Sequence, residues 1–498
     1  MTEDGKRRKQ KRHGRCLSVL IFACVCIASP VLVLAEPMTL AQALQIAFEQ
    51  SPTIRQAQYS LEVSERNLQA NQASLKSQFS LTLQPYQYSK DRVFSDLFSI
   101  YNTQEQTSSA AQLSITQPIK WTDGTLSISE YVDWRRTSSA FAGEGEETNY
   151  SSSFRVNFNQ PLFTYNRTLQ TQRELQLALE NAQLNYAIQK LQIEASVTEQ
   201  FLSLYHSQRS VQIAREELTN ATESHEIIQS KVDAGISAKE ELYQAELTLA
   251  NSRAALENRR MSLENAMDNF KILLGLPLDT ELEVIADIRK VLVDVDRNLA
   301  LEHGLSNRME LRQQDIAIQN AIDNLIRTGA QNEFKASVDL SYGLTGTDDD
   351  FSEVYQSPTK SHSVGITVNI PLFDWGKKKH SIAARQTEIE SQRLSAGEEK
   401  KQIQREIRQA YRYLRNQELQ IEIAEQNVRN ARLTYELNLE RYRNGDLSSK
   451  DMSYYQNQLS SEQLGEVQAL INYKLALLDL KIKALWDFEK NEPVVGQS

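Results

Sequence analysis

The sequence predicts a mixed α+β membrane protein made of two structural repeats, in which strands are inserted between very long helices. Residues 162–234 contain neither glycine nor proline, and this run of 73 residues is far longer than an ordinary globular helix of 8–20 residues. The motif Pro-Leu-Phe at 161–163 recurs at 371–373, which is 210 residues later. Short runs of alternating apolar and polar residues precede both copies of the motif, and this period of two is typical of strands.

Residues 1–35 predict an export signal. Basic residues at the start are followed by an apolar run over 17–34, and the small-residue ending at Ala35 fits cleavage before Glu36. The run is about long enough for a membrane anchor. Pro30 and the ending at Ala35 favour a cleaved signal.

All three cysteines of the chain, Cys16, Cys24 and Cys26, lie in this segment. The mature chain therefore uses neither disulfides nor thiol chemistry. Lipid attachment at Cys24 is an alternative fate of the segment, which the neighbouring Phe22 and the apolar residues after Cys24 disfavour.

The mature chain is acidic. Removal of residues 1–35 takes seven of the 55 Lys and Arg and two of the 65 Asp and Glu, which leaves a formal charge of −15. Such a chain is a poor partner for nucleic acid. No apolar stretch of 18 residues follows residue 35, so we expect membrane insertion to use strands.

The alternating runs lie at 79–84 and 153–158 in the first half and at 334–342 and 363–370 in the second half. Apolar residues on one face and polar residues on the other are typical of a transmembrane barrel with a water-filled lumen. A soluble sandwich with one wet face gives the same alternation. The export signal and the long helices around the runs favour the barrel.

The first half carries 47 more residues than the second between its first helix and its Pro-Leu-Phe motif. This surplus holds two further alternating runs, at 111–115 and 126–134, on either side of Asp123-Gly124, a strong hairpin signal. The two runs either widen the barrel or form an extracellular hairpin. The sequence leaves both possibilities open.

The segments follow one order in each half: helix, strands, and a long helical hairpin with a glycine at its tip. Pro161 and Pro371 suit the first turn of a helix, and we expect them to mark the change from strand to helix. The predicted division is a signal peptide at 1–35, a first repeat at 36–278 (helix near 39–75, strands within 79–160, tip at Gly235), a connector at 279–298, a second repeat at 299–490 (helix near 299–331, strands within 334–370, tip at Gly445) and a flexible tail at 491–498.

These features together resemble the TolC family of outer-membrane efflux and secretion channels. The resemblance covers residues 36 to about 490, and its motifs are those at 38–44, 160–163, 273–277 and 370–373. It implies a homotrimer, in which an outer-membrane β-barrel surrounded by lipid continues as a periplasmic α-helical tunnel. It also implies two protein partners, a periplasmic adaptor and an inner-membrane transporter.

The tips of the two helical hairpins are the predicted functional regions. Each combines a glycine that ends one helix with a serine able to cap the next. The resemblance implies that the adaptor grips these tips. The predicted docking residues are Gly235, Ile236, Ser237, Gly445, Asp446, Leu447 and Ser448.

The resemblance also implies an acidic pore constriction six residues after each tip glycine, where this chain has Glu241 and Asp451. Tyr442 matches a family tyrosine that holds the gate closed. Leu447 and Tyr454 stand where the family member best known for this latch has an arginine and a second acid, so we expect the latch to use other residues. The candidates are Lys239, Lys450 and Arg443. The alternative role of the two acids is to stabilise the first turn of a helix through its dipole.

No catalytic, cofactor or metal site is predicted, because the histidines are scattered without ligand spacing and no phosphate-binding loop or nucleophile elbow is present. The predicted function is a passive exit duct of a tripartite efflux pump or a type I secretion system. The alternative is an exported structural tether or trimeric surface fibre that conducts nothing. A periplasmic adaptor is a weaker alternative, since the lipoyl-like sheet of such a protein is missing. The sequence does not identify the exported substrate.

Overall fold

The computed structural model describes residues 38–95, 99–139, 146–285 and 289–494. The predicted signal peptide lies outside the described residues, and so does the end of the predicted tail, 495–498. The elements of the first half are α1 (Leu40–Gln50), α2 (Pro52–Ser74), β1 (Gln78–Ser95), β2 (Ile100–Ile119), β3 (Gly124–Ser139), β4 (Glu146–Leu162), α3 (Arg167–Asp233) and α4 (Lys239–Leu274).

The second half repeats this order with two long strands in place of four. Its elements are α5 (Arg297–Asn307), α6 (Met309–Gly329), a 3-10 turn (Ala330–Asn332), β5 (Lys335–Asp348), β6 (Thr359–Asn369), α7 (Lys377–Asn444) and α8 (Ser449–Ala484), followed by the two-residue strands β7 (Trp486–Asp487) and β8 (Glu492–Pro493). The predicted pair of repeats is therefore confirmed.

The long helices differ little between the repeats. Helix α3 has 67 residues and α7 has 68, which at 1.5 Å per residue gives each a length of about 100 Å. Helices α4 and α8 have 36 residues each and return along them. In the described part of the chain, no helix is both long enough and apolar enough to cross a membrane.

The prediction that Pro161 and Pro371 start the long helices is wrong. Pro161 lies inside β4, opposite Ser337 of β5, and Pro371 lies between β6 and α7. Phe163 and Trp375 have positive φ values of 58° and 54°, which turn the chain before the helix can begin. Helix α3 therefore starts only at Arg167, where the Asn166 side chain accepts a hydrogen bond from Leu169 N.

The six long strands form one antiparallel sheet in chain order, β1-β2-β3-β4-β5-β6. The alternation sorts the side chains by face: Leu81 of β1, Leu113 of β2 and Phe154 of β4 lie in one row on the mainly apolar face, and Glu130 of β3 is the polar member of that row. Large apolar side chains on the edge strands are exposed, including Phe79 (71%) and Val364 (73%). Since water does not favour such a surface, these side chains are suited to lipid.

The two surplus runs of the first half are strands β2 and β3, and they lie in the interior of the sheet. Strand β2 pairs with β1 on one side and β3 on the other, and β3 pairs with β4. The structure thus decides the question that the sequence left open. The surplus residues widen the sheet rather than forming a separate hairpin.

The helical core lies where the short helices pack on the long ones. Ala43 and Ala47 of α1 are fully buried against a cluster that includes Phe201 of α3 and Phe270 of α4. Ala300 of α5 takes the same place in the second half, against α7 and α8. Small side chains at these positions let the short helices approach closely.

The predicted flexible tail is held in place as far as Val494. Glu492 and Pro493 pair with Trp486 and Asp487, and Val494 N donates to the carbonyl of Leu485. The sequence does not predict this pairing, because a pair of two-residue strands is too short to produce a periodic pattern.

Candidate functional site

The two helical hairpins meet at their tips around a small apolar cluster. This tip cluster consists of the buried residues Ile228, Ala245, Tyr442 and Met452, one from each of the helices α3, α4, α7 and α8. The helix ends are thus held together within one protomer, although residues 228 and 452 are far apart in the sequence.

Each tip begins with the same backbone turn. Gly235 has φ 73° and Gly445 has φ 90°, a left-handed conformation that glycine adopts without steric cost. Ile236 N donates to the carbonyl of Lys231, and Asp446 N donates to the carbonyl of Arg441. These bonds satisfy carbonyls at the ends of α3 and α7, and they reverse the chain.

The predicted serine caps are only half right. Ser448 is the N-cap of α8, and its side chain accepts a hydrogen bond from Asp451 N at 3.1 Å. Ser237 does not cap α4, because the N-cap of that helix is Ala238, which has no side-chain acceptor. The first tip carries its serine two residues after the glycine, one position too early for a cap.

Tyr442 is the central residue of the tip cluster and is 1% exposed. Its hydroxyl donates to the carbonyl of Ser224 on α3 at 3.2 Å and lies 3.4 Å from Oγ of Ser449 on α8. Burial raises the pKa of Tyr442 above its ordinary value, so the hydroxyl keeps its proton at neutral pH. The side chain therefore bonds to both hairpins at once.

Lys231 forms a second link between the hairpins, which the sequence did not reveal. Its Nζ donates to the carbonyl of Tyr442 at 3.0 Å and lies 5.6 Å from the centre of the tyrosine ring. A cation at the end of α7 is favourable because the last carbonyls of a helix carry partial negative charge. Lys231 also lies in the last turn of its own helix, and that position was the only signal in the sequence.

Glu241 and Asp451 have different surroundings. Oε2 of Glu241 accepts a hydrogen bond at 2.8 Å from the backbone N–H of Ser449, so the carboxylate lies at the N-terminus of the opposite hairpin's helix α8. Asp451 is exposed, and its carboxylate accepts a hydrogen bond from the hydroxyl of Ser448 in its own turn. Glu241 thus bridges the hairpins, whereas the Asp451 carboxylate bonds to the N-cap residue of its own helix.

Two further polar contacts join the hairpins near the tips. Arg443 lies 3.5 Å from Oε1 of Glu223, with both side chains about half exposed, and Gln456 donates to the carbonyl of Glu217. Of the three candidate latch residues, Arg443 contacts the other hairpin. Lys239 and Lys450 are exposed at the starts of α4 and α8.

The outermost residues of the two tips differ in exposure. Ile236 is 76% exposed, and an added Cβ at Gly235 would meet nothing within 4 Å. Asp446 takes the corresponding position of the second tip, and the apolar residue that follows it, Leu447, is half-buried against the tip cluster. Asp446 and Gly445 are exposed, while Ser237 and Ser448 are half-buried. The first tip therefore offers the larger apolar contact.

Among the described residues, no group of three His, Cys, Asp or Glu side chains is arranged to hold a metal ion.

Comparison with known proteins identifies the fold. The sequence profile of the family described as "Outer membrane efflux protein" matches residues 125–276 and 300–482, which is more than half of the chain. No curated protein matched the sequence significantly.

Solved structures cover nearly all of the chain. The outer-membrane protein VceC from Vibrio cholerae is 15% identical with a TM-score of 0.66, covering 89% of this chain and 95% of its own. The CmeC outer-membrane channel of Campylobacter jejuni is 15% identical with a TM-score of 0.65, covering 89% of this chain and 85% of its own. The open state of the MtrE channel of Neisseria gonorrhoeae is 14% identical with a TM-score of 0.64, covering 90% of this chain and 89% of its own.

The family consists of channels rather than enzymes, and its members are trimers that work with adaptors and inner-membrane pumps. They place a β-barrel in the outer membrane and a helical tunnel in the periplasm. The profile match and the shared architecture show that the chain belongs to the outer membrane efflux protein family and is an outer-membrane efflux duct.

Proposed function

We propose that this chain forms a homotrimeric, passive exit duct of a tripartite efflux pump or a type I secretion system, and that a periplasmic adaptor opens it at the tips. The observation that carries the proposal is the set of polar contacts around Tyr442, which joins the two hairpins of one protomer. An inner-membrane transporter supplies the energy. The rival function, a structural tether, has no observation in its favour.

Only a few bonds named above join the two hairpins at the tips, so contacts with an adaptor can replace them. The hairpins share the bonds of Tyr442, Lys231 and Glu241, and each such bond contributes on the order of 1 kcal/mol, or somewhat more where a charge takes part. An adaptor that binds the separated tips more tightly than the joined tips by a few kcal/mol would shift the population to the open state. The exposed Ile236 gives such a partner an apolar anchor.

Glu241 and Asp451 have separate roles in this proposal. In the closed state the Glu241 carboxylate holds the N-terminus of α8, and opening releases it. Asp451 stays exposed in the closed state, and three copies around the axis of a trimer form an acidic ring that favours cations. The exposed apolar face of the sheet contacts the lipid of the outer membrane.

Single-channel recordings of the purified protein in planar bilayers test the proposal. Glu241→Gln removes the charge but leaves an oxygen that accepts the Ser449 N–H, whereas Glu241→Ala removes both. We expect wild type to show small, flickering, cation-preferring currents. The alanine variant should open several-fold more often, and the glutamine variant should resemble wild type in open probability.

Asp451→Asn, made on the wild-type background, completes the comparison, because it should weaken the cation preference without raising the open probability. If wild type and Glu241→Ala conduct with the same open probability, the chain is still a duct, but the proposed gate at Glu241 is refuted. Correctly inserted trimers that conduct in none of these forms, even after removal of the tips, would refute the duct itself.

A further inference from the structure

The hairpin of strands β2 and β3 has no counterpart in the second repeat, and it is fully integrated into the sheet. Strand β2 pairs with β1 from Thr116 to Ile100, and β3 pairs with β4 from Thr125 to Ser138. An extracellular excursion would leave β1 and β4 paired with each other. In this structure two complete strands lie between them.

The turn that joins β2 to β3 is fastened to the helices below the sheet. Oδ1 of Asp123 accepts hydrogen bonds from the backbone N–H of Thr168 at 3.1 Å and from its hydroxyl at 2.6 Å, at the N-terminus of α3. Asn166, the N-cap of α3, also donates to the carbonyl of Lys120 in the turn at 2.8 Å. The turn therefore helps to cap the long helix, and its position does not depend on the strands alone.

The junction from helix α2 to strand β1 is bound in a similar way. Gln117, near the end of β2, donates to the carbonyl of Leu75 at 3.0 Å and accepts a hydrogen bond from the hydroxyl of Ser77 at 2.7 Å. Residues 75–77 connect α2 to β1. The β2–β3 hairpin is thus bonded both to the segment before β1 and to the start of α3 after β4.

We propose that every protomer contributes six strands, and that three copies close an eighteen-stranded barrel in which β1 of one copy pairs with β6 of the next. This inference rests on the trimer of the proposed function. The even number of strands makes β1 and β6 antiparallel, so all neighbours remain antiparallel after closure. Within the described residues, neither edge strand pairs with a further strand of its own chain.

The faces of the two edges also match. Leu81 of β1 and Val364 of β6 lie on the same apolar face of the sheet, while Ser80 and Ser363 lie on the polar face. Pairing between copies therefore continues one apolar outer surface and one polar inner surface around the whole barrel.

The extra hairpin makes the exit wide. With strands about 4.8 Å apart and tilted by about 40°, eighteen strands enclose a backbone diameter of about 36 Å, against about 24 Å for twelve strands without the hairpin. The small side chains of Ser80, Ser114 and Ser129, which lie in one register row, fill little of this lumen, and the row continues to the longer side chain of Arg155 on β4. We therefore assign the hairpin the role of widening the exit for large hydrated cargo, so that the tips and not the barrel limit passage.

Cysteine cross-linking in intact cells tests where the hairpin lies, since the natural cysteines are confined to residues 1–35. The pairs Ser80→Cys/Ser114→Cys (β1 and β2) and Ser129→Cys/Arg155→Cys (β3 and β4) face each other directly and should both cross-link with a short bifunctional thiosulfonate. The control pairs combine Ser80→Cys with Asn157→Cys or Asn159→Cys on β4, and we expect no cross-link. Efficient cross-linking of a control pair together with failure of the first two pairs would refute the proposal.

Electron cryo-microscopy of the trimer in lipid nanodiscs then counts the strands, beside a variant that lacks residues 100–139. The expected counts are eighteen for the full chain and twelve for the deletion variant, and any other count for the full chain would overturn the inference. If the deletion variant fails to fold, the full chain and the cross-links still decide the question. Neither readout requires conduction, so the result is independent of whether the duct proposal fails in bilayers.

Discussion

Lys231 lies in the last turn of its own helix, α3, but its ammonium group bonds to the last turn of another helix, α7. It donates to the carbonyl of Tyr442 and lies over the aromatic ring of the same residue, 211 positions further along the chain. A charged donor to a half-buried acceptor contributes more than a neutral one, on the order of 1.5–3 kcal/mol. Lys231 is therefore the residue on which the closed tips depend most directly after Tyr442.

We expect Lys231→Met to raise the open probability of the channel roughly tenfold, because it removes the bond to the Tyr442 carbonyl and keeps a side chain of similar length. Current recordings at equal voltage and salt measure the change. Lys239→Met is the matched control, since Lys239 is an exposed lysine of the same tip. Equal open probabilities in both variants would show that Lys231 does not hold the tips together.

The candidate site was predicted in part. Tyr442, Glu241 and Asp451 came from the resemblance to a family, which locates residues by their distance from the tip glycines. Their contacts did not follow, since Ser449 and Lys231 meet these residues only after both hairpins have packed. The roles of Glu241 and Asp451 in a pore stay predictions that the recordings above test.

At the scale of elements, the C-terminal segment after α8 depends on one buried carboxylate. Asp487 is 6% exposed, lies 3.1 Å from Nζ of Lys481 and accepts hydrogen bonds from the backbone N–H groups of Glu489 and Lys490. Burial pushes the pKa of Asp487 upward, but the hydrogen bonds from Lys490, Lys481 and Glu489 outweigh it and hold the pKa below its usual value. The segment is thus fastened to the helices by a charge.

This lowered pKa predicts a pH dependence of stability. The contribution of Asp487 is complete above its unfolded pKa of about 4 and is lost as the pH falls through the lower folded value. We expect Asp487→Asn to lower the free energy of unfolding by about 2 kcal/mol at pH 7, with the difference between the two proteins shrinking as the pH falls below about 4. Urea unfolding of the detergent-solubilised protein, followed by circular dichroism at several pH values, measures it.

The control for this prediction is Asp479→Asn, which breaks the half-buried pair of Asp479 and Lys483 on α8. Such a pair, four residues apart on one helix, is worth only about 0.3–0.5 kcal/mol. A loss of stability at Asp487→Asn that stays constant from pH 7 to pH 3 would contradict the electrostatic account.

The elements themselves were largely predictable, and their ends were not. Helices longer than 60 residues and strands with a period of two follow from residue patterns that act locally. The starts of α3 and α7 were misplaced because Phe163 and Trp375 adopt a left-handed conformation that the sequence does not announce. Such a conformation is rare outside glycine and depends on its surroundings.

At the scale of the whole molecule, the apolar face of the sheet decides where the protein resides. Ile366 of β6 is 69% exposed on this face, and its neighbour Thr367 points to the opposite, polar face. We expect Ile366→Arg to destabilise the inserted state by up to about 2–4 kcal/mol, the cost of an arginine on the lipid side of a barrel strand at the membrane midplane, which falls toward the interfaces. Thr367→Arg should have little effect on insertion, because its side chain reaches the aqueous lumen.

Recovery of folded trimers from outer membranes, compared among wild type, Ile366→Arg and Thr367→Arg, measures this difference. A strong loss with Thr367→Arg and none with Ile366→Arg would mean that the faces are assigned the wrong way round.

The sequence by itself determined the two repeats, the long helical hairpins, their tip glycines and the alternation of the strands. All of these follow from periodicity and backbone preference, which a chain expresses over a few neighbouring residues. Only the tertiary structure decided that β2 and β3 lie inside the sheet, that Asp123 caps α3, and that Lys231 and Glu241 join the hairpins. These contacts link residues that are between 45 and 211 positions apart, and no local pattern records which of many compatible partners packing will bring together.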